Sequence, residues 1–482
     1  LDIGTSSVRS GLYDSDANPL PETMVKNERL LTATQDGGFE IDADEALFQV
    51  VQAVDDVLAK CPESVEKIAY SATSSFWHSI LGIDKDGNPT TKVFAWAETR
   101  PARYIKQLRY DFVDRHIHNR TGCRFHSSYW PAKLLWLQKE KPDLYEKTEK
   151  WISFSDYVIL KICGELKTSV SMASGTGIFD IRKNIWDPEL LAYFNMTEEN
   201  LPPIVENDSD TFTLNEEYSD RWKKLKETKF YLAIGDGAGN NIGANCVSKN
   251  KAALMIGTSG AMRVAFEGDV PEEIPPGLWC YRIDRRRIII GGALSDGGGL
   301  YGWLKKNFRL KKNDDKTEVK IEKRRADQHG ITFLPFLAGE RSTGYHDFAE
   351  GAIIGLKHAH NKIDIVQAAL ESVAYRFAEI YEQLNQVLKI KTIIASGGAL
   401  RESPVWTQII CDTLAQNMNL PETREASSHG VVLLASEYAG LLEDIAKLEP
   451  PVGREFTFNP ENHQIYQKAR KRHEKFYQML VQ

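Results

Sequence analysis

Apolar positions in this chain switch between two spacings. After Asp42, residues Leu47, Val50, Val51, Val54, Val57 and Leu58 recur at steps of three and four, which predicts a helix with one buried stripe and Asp42 as its N-cap. The run Lys67 to Ser71 then reads as a short buried strand. The pair recurs later. Ile365, Val366, Leu370, Val373, Phe377 and Tyr381 predict a helix that follows Asp364, and Thr392 to Ala395 predicts the next strand. A last helix, with Ile465, Ala469, Phe476 and Leu480 on one side, is predicted to pack back on the body. The charged stretches Asn215 to Lys229 and Lys305 to Arg325 read as solvated loops or helix faces. Alternation of strands and helices means α/β layers.

One tetrapeptide, IGTS, occurs in both halves: in DIGTSSVRSGLYD from Asp2 and in MIGTSGAMRVAFE from Met255. Each copy stands at the end of an apolar run and leads into a second run, alternating as Val8, Ser10, Leu12 or as Met262, Val264, Phe266. Both therefore read as strand, tight turn and returning strand. Glycine permits the turn and a close backbone approach, and Thr and Ser hydroxyls beside exposed amides can hold an anion. A single such turn needs no ligand. Two, one per half, imply a duplicated α/β domain with nucleotide between the copies.

Composition narrows the classes. At 482 residues the chain is long enough for two or three domains. Its net charge of −7 leaves no cationic excess to neutralise phosphates, which argues against nucleic acid or an anionic membrane as partner. The longest apolar run, Ile288 to Leu294, is far short of the ~20 residues that span a bilayer. Six cysteines, at 61, 123, 163, 246, 280 and 411, form no CxxC pair and suit a reducing cytoplasm. The chain opens at Leu1, without a methionine and within a strand, so its natural start is expected upstream. GGGLYG, from Gly297, satisfies GxGxxG but lacks the βαβ unit with an acidic ribose ligand that a dinucleotide site requires, and no P-loop GxxxxGK[ST] is present.

DIGTSSVRSGLYD and MIGTSGAMRV resemble the two phosphate motifs of the actin-like fold as used by the FGGY carbohydrate kinases. Further motifs similar to that family follow in order: FAWAETR from Phe94, YWPAKLLWL from Tyr129, SMASGTGIFDIRKNIWD from Ser171, IGDGAGNNIG from Ile234, FLPFLAGERS from Phe333 and SGGALRESPVW from Ser396. GAIIGLKHAHNKIDIVQAALE, from Gly351, resembles the family's second signature. Within the family, TGCRFHSSYWPAKLLWL, SMASGTGIFD and WAETR resemble the gluconate kinases. Trp130, Glu98 and Glu402 depart from the family pattern, where a small residue or proline, Asp and Asn are usual.

The resemblance implies an α/β fold of two actin-like (ribonuclease H-like) domains, residues 1–245 on the sugar side and 246–482 on the nucleotide side, with ATP and Mg2+ between them. The reaction it implies is phosphorylation of D-gluconate to 6-phosphogluconate in the cytoplasm, with xylulose, ribulose or glycerol as alternative acceptors. A homodimer is the assembly considered. A non-metabolic actin-like ATPase, the rival class, would share the turns but lack WAETR and AGER.

Its residue roles carry over as follows. Asp236 would be the base that takes the hydroxyl proton and would touch the sugar; an Asx-turn is the bland reading for an Asp between Gly235 and Gly237. Asp2 would hold magnesium, which prefers one or two carboxylates plus phosphates. Thr5, Ser6, Thr258 and Ser259 would grip phosphates, and Gly298, Gly397 and Gly398 would flank adenosine. His78, Glu98, Arg100 and Lys133 would line the sugar pocket, with Arg100, Arg124 or Lys133 reading the gluconate carboxylate.

Overall fold

Two β-sheets repeat one strand order and one set of directions. In the first, the order is Ile234–Gly235, Ser74–Ser75, Asp2–Ile3, Ser7–Ser10, Val25–Glu28. The first three strands are parallel and the last two reverse in turn. The second sheet contains the same five-strand core as Met418–Pro421, Thr392–Ser396, Lys251–Ile256, Gly260–Glu267, Arg287–Leu294, again parallel for three and then reversing. Gly453–Phe456 and Trp279–Arg282 extend its two edges. The computed structural model describes residues 1–28, 31–206, 210–310, 315–422 and 425–481. This is the two-domain actin-like, ribonuclease H-like α/β fold, and the IGTS copies occupy equivalent hairpins in its two sheets.

Local chemistry sets the helices. Asp42 caps Ala43–Ala59 by accepting from the Asp44 and Glu45 amides, and the apolar stripe behind it is buried. The helix expected after Asp364 begins earlier, at Lys362, because Asn361 accepts the Ile363 amide while Asp364 bonds back to the Asn361 amide, a reciprocal capping box. Of the strand expected over Lys67 to Ser71, only Tyr70–Ser71 pairs. The charged stretches form Glu216–Arg221, capped by Asn215, the end of Gly298–Asn307, and Asp315–Glu322; 311–314 lie outside the described residues.

The final helix, Pro460–Leu480, packs inward on Tyr466, Ala469, His473 and Tyr477, whereas Leu480 is exposed. The buried face is thus rotated from the aliphatic one the sequence suggests. Tyrosine can turn inward here because its hydroxyl finds a partner: Tyr477 donates to Glu340 at 2.7 Å and Tyr466 to Glu371 at 3.4 Å. Among the described residues no helix is long and apolar enough to cross a membrane.

Candidate active site

The two IGTS turns face one another across a cleft of about 390 Å3. Gly4, Thr5 and Ser6 line one side, and Gly257, Thr258 and Ser259 the other. Each turn is closed by its glycine amide, Gly4 to the Ser7 carbonyl at 3.0 Å and Gly257 to that of Ser259 at 2.9 Å. Behind the second turn, the amides of Gly297 and Gly299 bond the Thr258 carbonyl and that of Gly298 bonds Gly257. Gly298 does not line the cleft, contrary to its expected place beside adenosine. It buttresses the turn instead, since a Cβ there would fall 2.4 Å from the Gly257 oxygen. Gly397 and Gly398 do line the cleft; Gly397 has φ +100°, and a Cβ on it would meet the Ile256 oxygen at 2.2 Å.

Three carboxylates line this space, of which Glu425 is tied to Arg9 at 3.0 Å. Asp2 accepts from Ser74 Oγ at 2.6 Å and from Arg9 at 3.1 Å. Asp236 opens the helix Asp236–Gly243, and its Oδ1 accepts the Gly237 amide at 2.8 Å. It therefore makes the local bond of a turn residue while lining the cleft. Burial lifts its carboxyl to about 6, with Arg263 opposing and Asp2 adding to the rise. Gly235 is required just before it, because a Cβ would overlap the Trp77 indole at 1.8 Å. Trp77, Trp279 and Tyr281 form an aromatic wall, the last two stacked at 4.3 Å.

Of the residues expected on the sugar side, His78 lines the cleft. Its Nδ1 lies 2.5 Å from the Gly175 carbonyl, so Nδ1 carries the proton and Nε2 a lone pair. Burial, and next Arg341, hold the ring neutral. From WAETR it is Trp96 that borders the cleft, not Glu98 or Arg100. Glu98 is fully buried and takes Arg100 Nε at 2.8 Å and the Phe39 amide at 3.1 Å, while Arg100 also pairs with Glu40 and lies over the Trp136 ring. Lys133 is buried behind the wall, donating to the His78 carbonyl at 2.7 Å, and burial pulls it down to about 7. Arg124 is held by Asp114 and the Pro276 carbonyl. The expectation that one of these three cations reads a carboxylate is therefore corrected: each is engaged by protein groups.

Four other cations border the cleft: Arg401, Arg9, which pairs with Asp2 and Glu425, and two further arginines, Arg263 and Arg341. Both stand inside quoted motifs, MIGTSGAMRV and FLPFLAGERS, where their residue type was the available signal. Burial pulls Arg263 down to about 10, which leaves it charged at neutral pH. A larger cavity, about 460 Å3, is lined largely by apolar side chains near Leu1 and Trp222 and includes neither turn. The grouping of Asp327, His329 and Glu371 offers metal-ligand atoms, but Arg472 pairs with Asp327 while His329, Gln367 and Tyr375 engage Glu371.

Duplicated sheets with facing IGTS turns and a carboxyl between them define a protein of the actin-like class. The chain belongs to the FGGY family of carbohydrate kinases, whose N-terminal domain matches residues 1–243 and whose C-terminal domain matches 252–438. It is an ATP-dependent sugar kinase. A gluconokinase of Bacillus subtilis (strain 168) is 26% identical over 478 residues, covering 95% of this chain and 91% of that protein. The gluconate kinase of Lactobacillus acidophilus, 26% identical, superimposes with a TM-score of 0.88 over 100% of this chain and 97% of that one. A ligand-bound xylulose kinase from the same organism, also 26% identical, gives 0.90 over 99% and 97%.

Proposed function

We propose that the protein transfers the γ-phosphoryl group of MgATP to a hydroxyl of D-gluconate, giving 6-phosphogluconate and ADP in the cytoplasm. The observation that carries the reading is Asp236, a carboxylate lifted to about 6, set in the cleft between two anion-holding turns. A base of that strength is ionised at neutral pH yet still basic enough to take a proton as the P–O bond forms.

In this reading residues 1–245 supply Asp2, His78 and Asp236, and 246–482 supply the second turn and the glycines at 397 and 398. Phosphoryl transfer asks chiefly for alignment and charge neutralisation. The Thr5, Ser6, Thr258 and Ser259 hydroxyls bind phosphate oxygens. Trp77, Trp279 and Tyr281 pack against the carbon face of the acceptor and exclude water. Asp236 orients the acceptor hydroxyl and accepts its proton; that oxygen bonds to the γ-phosphorus as the bond to the ADP oxygen breaks. Asp2 suits a largely hydrated magnesium ion, because each of its oxygens accepts only one protein hydrogen bond and keeps a lone pair. Magnesium, when bound, supplies charge neutralisation on the phosphates.

Gluconate is favoured by the gluconate-kinase motifs and by relatives of that name. Xylulose is the second reading, favoured by the xylulose kinase at TM-score 0.90. Steady-state kinetics on gluconate, xylulose, ribulose and glycerol decide between them. The expected result is a kcat/KM for gluconate at least about a hundredfold above the others, the scale of one lost charged contact; equal or better turnover of xylulose would overturn gluconate and leave the sugar kinase standing.

A further inference from the structure

Arginines buried in this protein are as a rule paired. Arg100 meets Glu98 and Glu40, Arg287 meets Asp284 and Glu437, and Arg376 meets Glu340 and Glu379. Arg263 breaks the rule. It is buried, yet its Nε and Nη1 have no hydrogen-bond partner among the described residues. Its strand Gly260–Glu267 lies inside the second sheet, and the guanidinium passes over Gly237, where a Cβ would stand 3.0 Å from Nε. That places it beside Asp236. Arg341 is half-buried: it lies over the Trp96 ring at 5.4 Å, and its Nη2 is 3.5 Å from His78 Nε2. Among the described residues it forms no ion pair with a carboxylate. The indole N–H of Trp279 in the same wall is also buried without a partner.

Unpaired buried cations are costly unless a ligand neutralises them. Asp236 offsets part of the Arg263 charge without bonding its Nε or Nη1, and two ligand anions could complete the neutralisation, the transferring phosphoryl group or a carboxylate on the acceptor. The phosphates already have two turns of amides and hydroxyls. Arg341, by contrast, stands with His78 and Trp96 on the side where the aromatic wall receives the acceptor. Resting on the kinase reading above, we propose that Arg263 and Arg341 together form an anion subsite beside Asp236 that takes the carboxylate of a sugar-acid acceptor. They would thereby set its specificity over neutral sugars. Guanidinium forks match two carboxylate oxygens, and a neutral acceptor would leave their N–H groups unmet.

The test compares gluconate with its neutral isostere gluconamide in the wild type, Arg263→Gln and Arg341→Gln, by kinetics and by calorimetric gluconate binding. Melting curves and ADP binding report folding. The wild type should prefer gluconate by about a hundredfold, and in each variant kcat/KM for gluconate should fall at least about tenfold further than that for gluconamide, chiefly through KM and Kd. Equal losses on both acceptors would overturn the assignment and give the arginines to the phosphoryl group; unchanged preference would overturn it outright. Should Gln fail to fold, Arg→Lys at each site keeps the charge without the fork and must still weaken gluconate selectively. A wild type that does not phosphorylate gluconate refutes the proposed acceptor, whereas a gluconate-using enzyme indifferent to both substitutions refutes only this subsite.

Discussion

Gly430 lies directly against Gly239: a Cβ on Gly430 would fall 1.9 Å from the Gly239 carbonyl oxygen. The helices Asp236–Gly243 and Ala426–Tyr438 thus cross backbone to backbone, and the helix that presents Asp236 is seated on the other half of the molecule. Gly430→Ala must force them apart. We expect a loss of about 2–3 kcal/mol by chemical denaturation, the cost of overpacking, together with reduced kcat. Gly302→Ala is the control. It sits within the helix Gly298–Asn307 with open space around its Cβ position, and should gain roughly 0.5–1 kcal/mol. Equal effects of the two substitutions would contradict this close crossing.

Asp236→Asn separates base from turn residue. Asn keeps an acceptor for the Gly237 amide but takes no proton at neutral pH. Turnover should fall at least about a hundredfold while gluconate and MgATP bind within a few fold of normal, measured as kcat and two dissociation constants. Near-normal turnover would move the base elsewhere.

The same carboxyl sets two pH dependences of opposite benefit. As a base it must be ionised, so kcat/KM should rise about tenfold per unit below pH 6 and level off above 7. For stability the sign reverses. A carboxyl whose folded value is raised from 3.8 to about 6 binds its proton more tightly when folded, so stability falls as pH rises from about 4 to 6. Asp236→Asn should therefore melt higher than the wild type at pH 7 and equal it near pH 3.5. A variant less stable at neutral pH would show that Asp236 is not disfavoured by burial.

Arg100→Ala tests the correction to the sugar wall. Removing it leaves Glu98 buried and unpaired, a change that costs about 3–5 kcal/mol. Arg100→Ala should be strongly destabilised, adding Glu98→Gln should restore part of the loss, and the folded fraction should keep its KM for gluconate. A raised KM in a stable Arg100→Ala protein would return the residue to the substrate.

The fold was legible where a single segment decides it. Asp42 and its apolar stripe announce their helix, and the IGTS copies announce two hairpins, because cap, turn and period are local properties. The chain turn that sets Asp236 at a helix start was legible for the same reason, since the residue lies between two glycines. Arg263 and Arg341 were not, since what distinguishes them is a missing partner, and absence of a contact is defined only once the chain is folded. Arg100 was misplaced because one of its partners, Glu40, is 60 positions away in sequence. Gly298 looked like a ligand-facing glycine, but the space it leaves is taken by the backbone of the facing turn.

Duplication gave the two sheets one plan, yet the residue before each IGTS differs: Asp2 in the first, Met255 in the second. Asp2 pairs in parallel with Ser74, which bonds its carboxylate, whereas Met255 pairs with Ser396, whose buried hydroxyl has no hydrogen-bond partner among the described residues. Symmetry of backbone is thus joined to polarity of side chain. The carboxylate before the turn belongs to the first half, so under the magnesium role proposed for Asp2 a nucleotide entering back to front would bring its metal against the Met255 thioether. On that proposal the cleft has one productive orientation for its nucleotide.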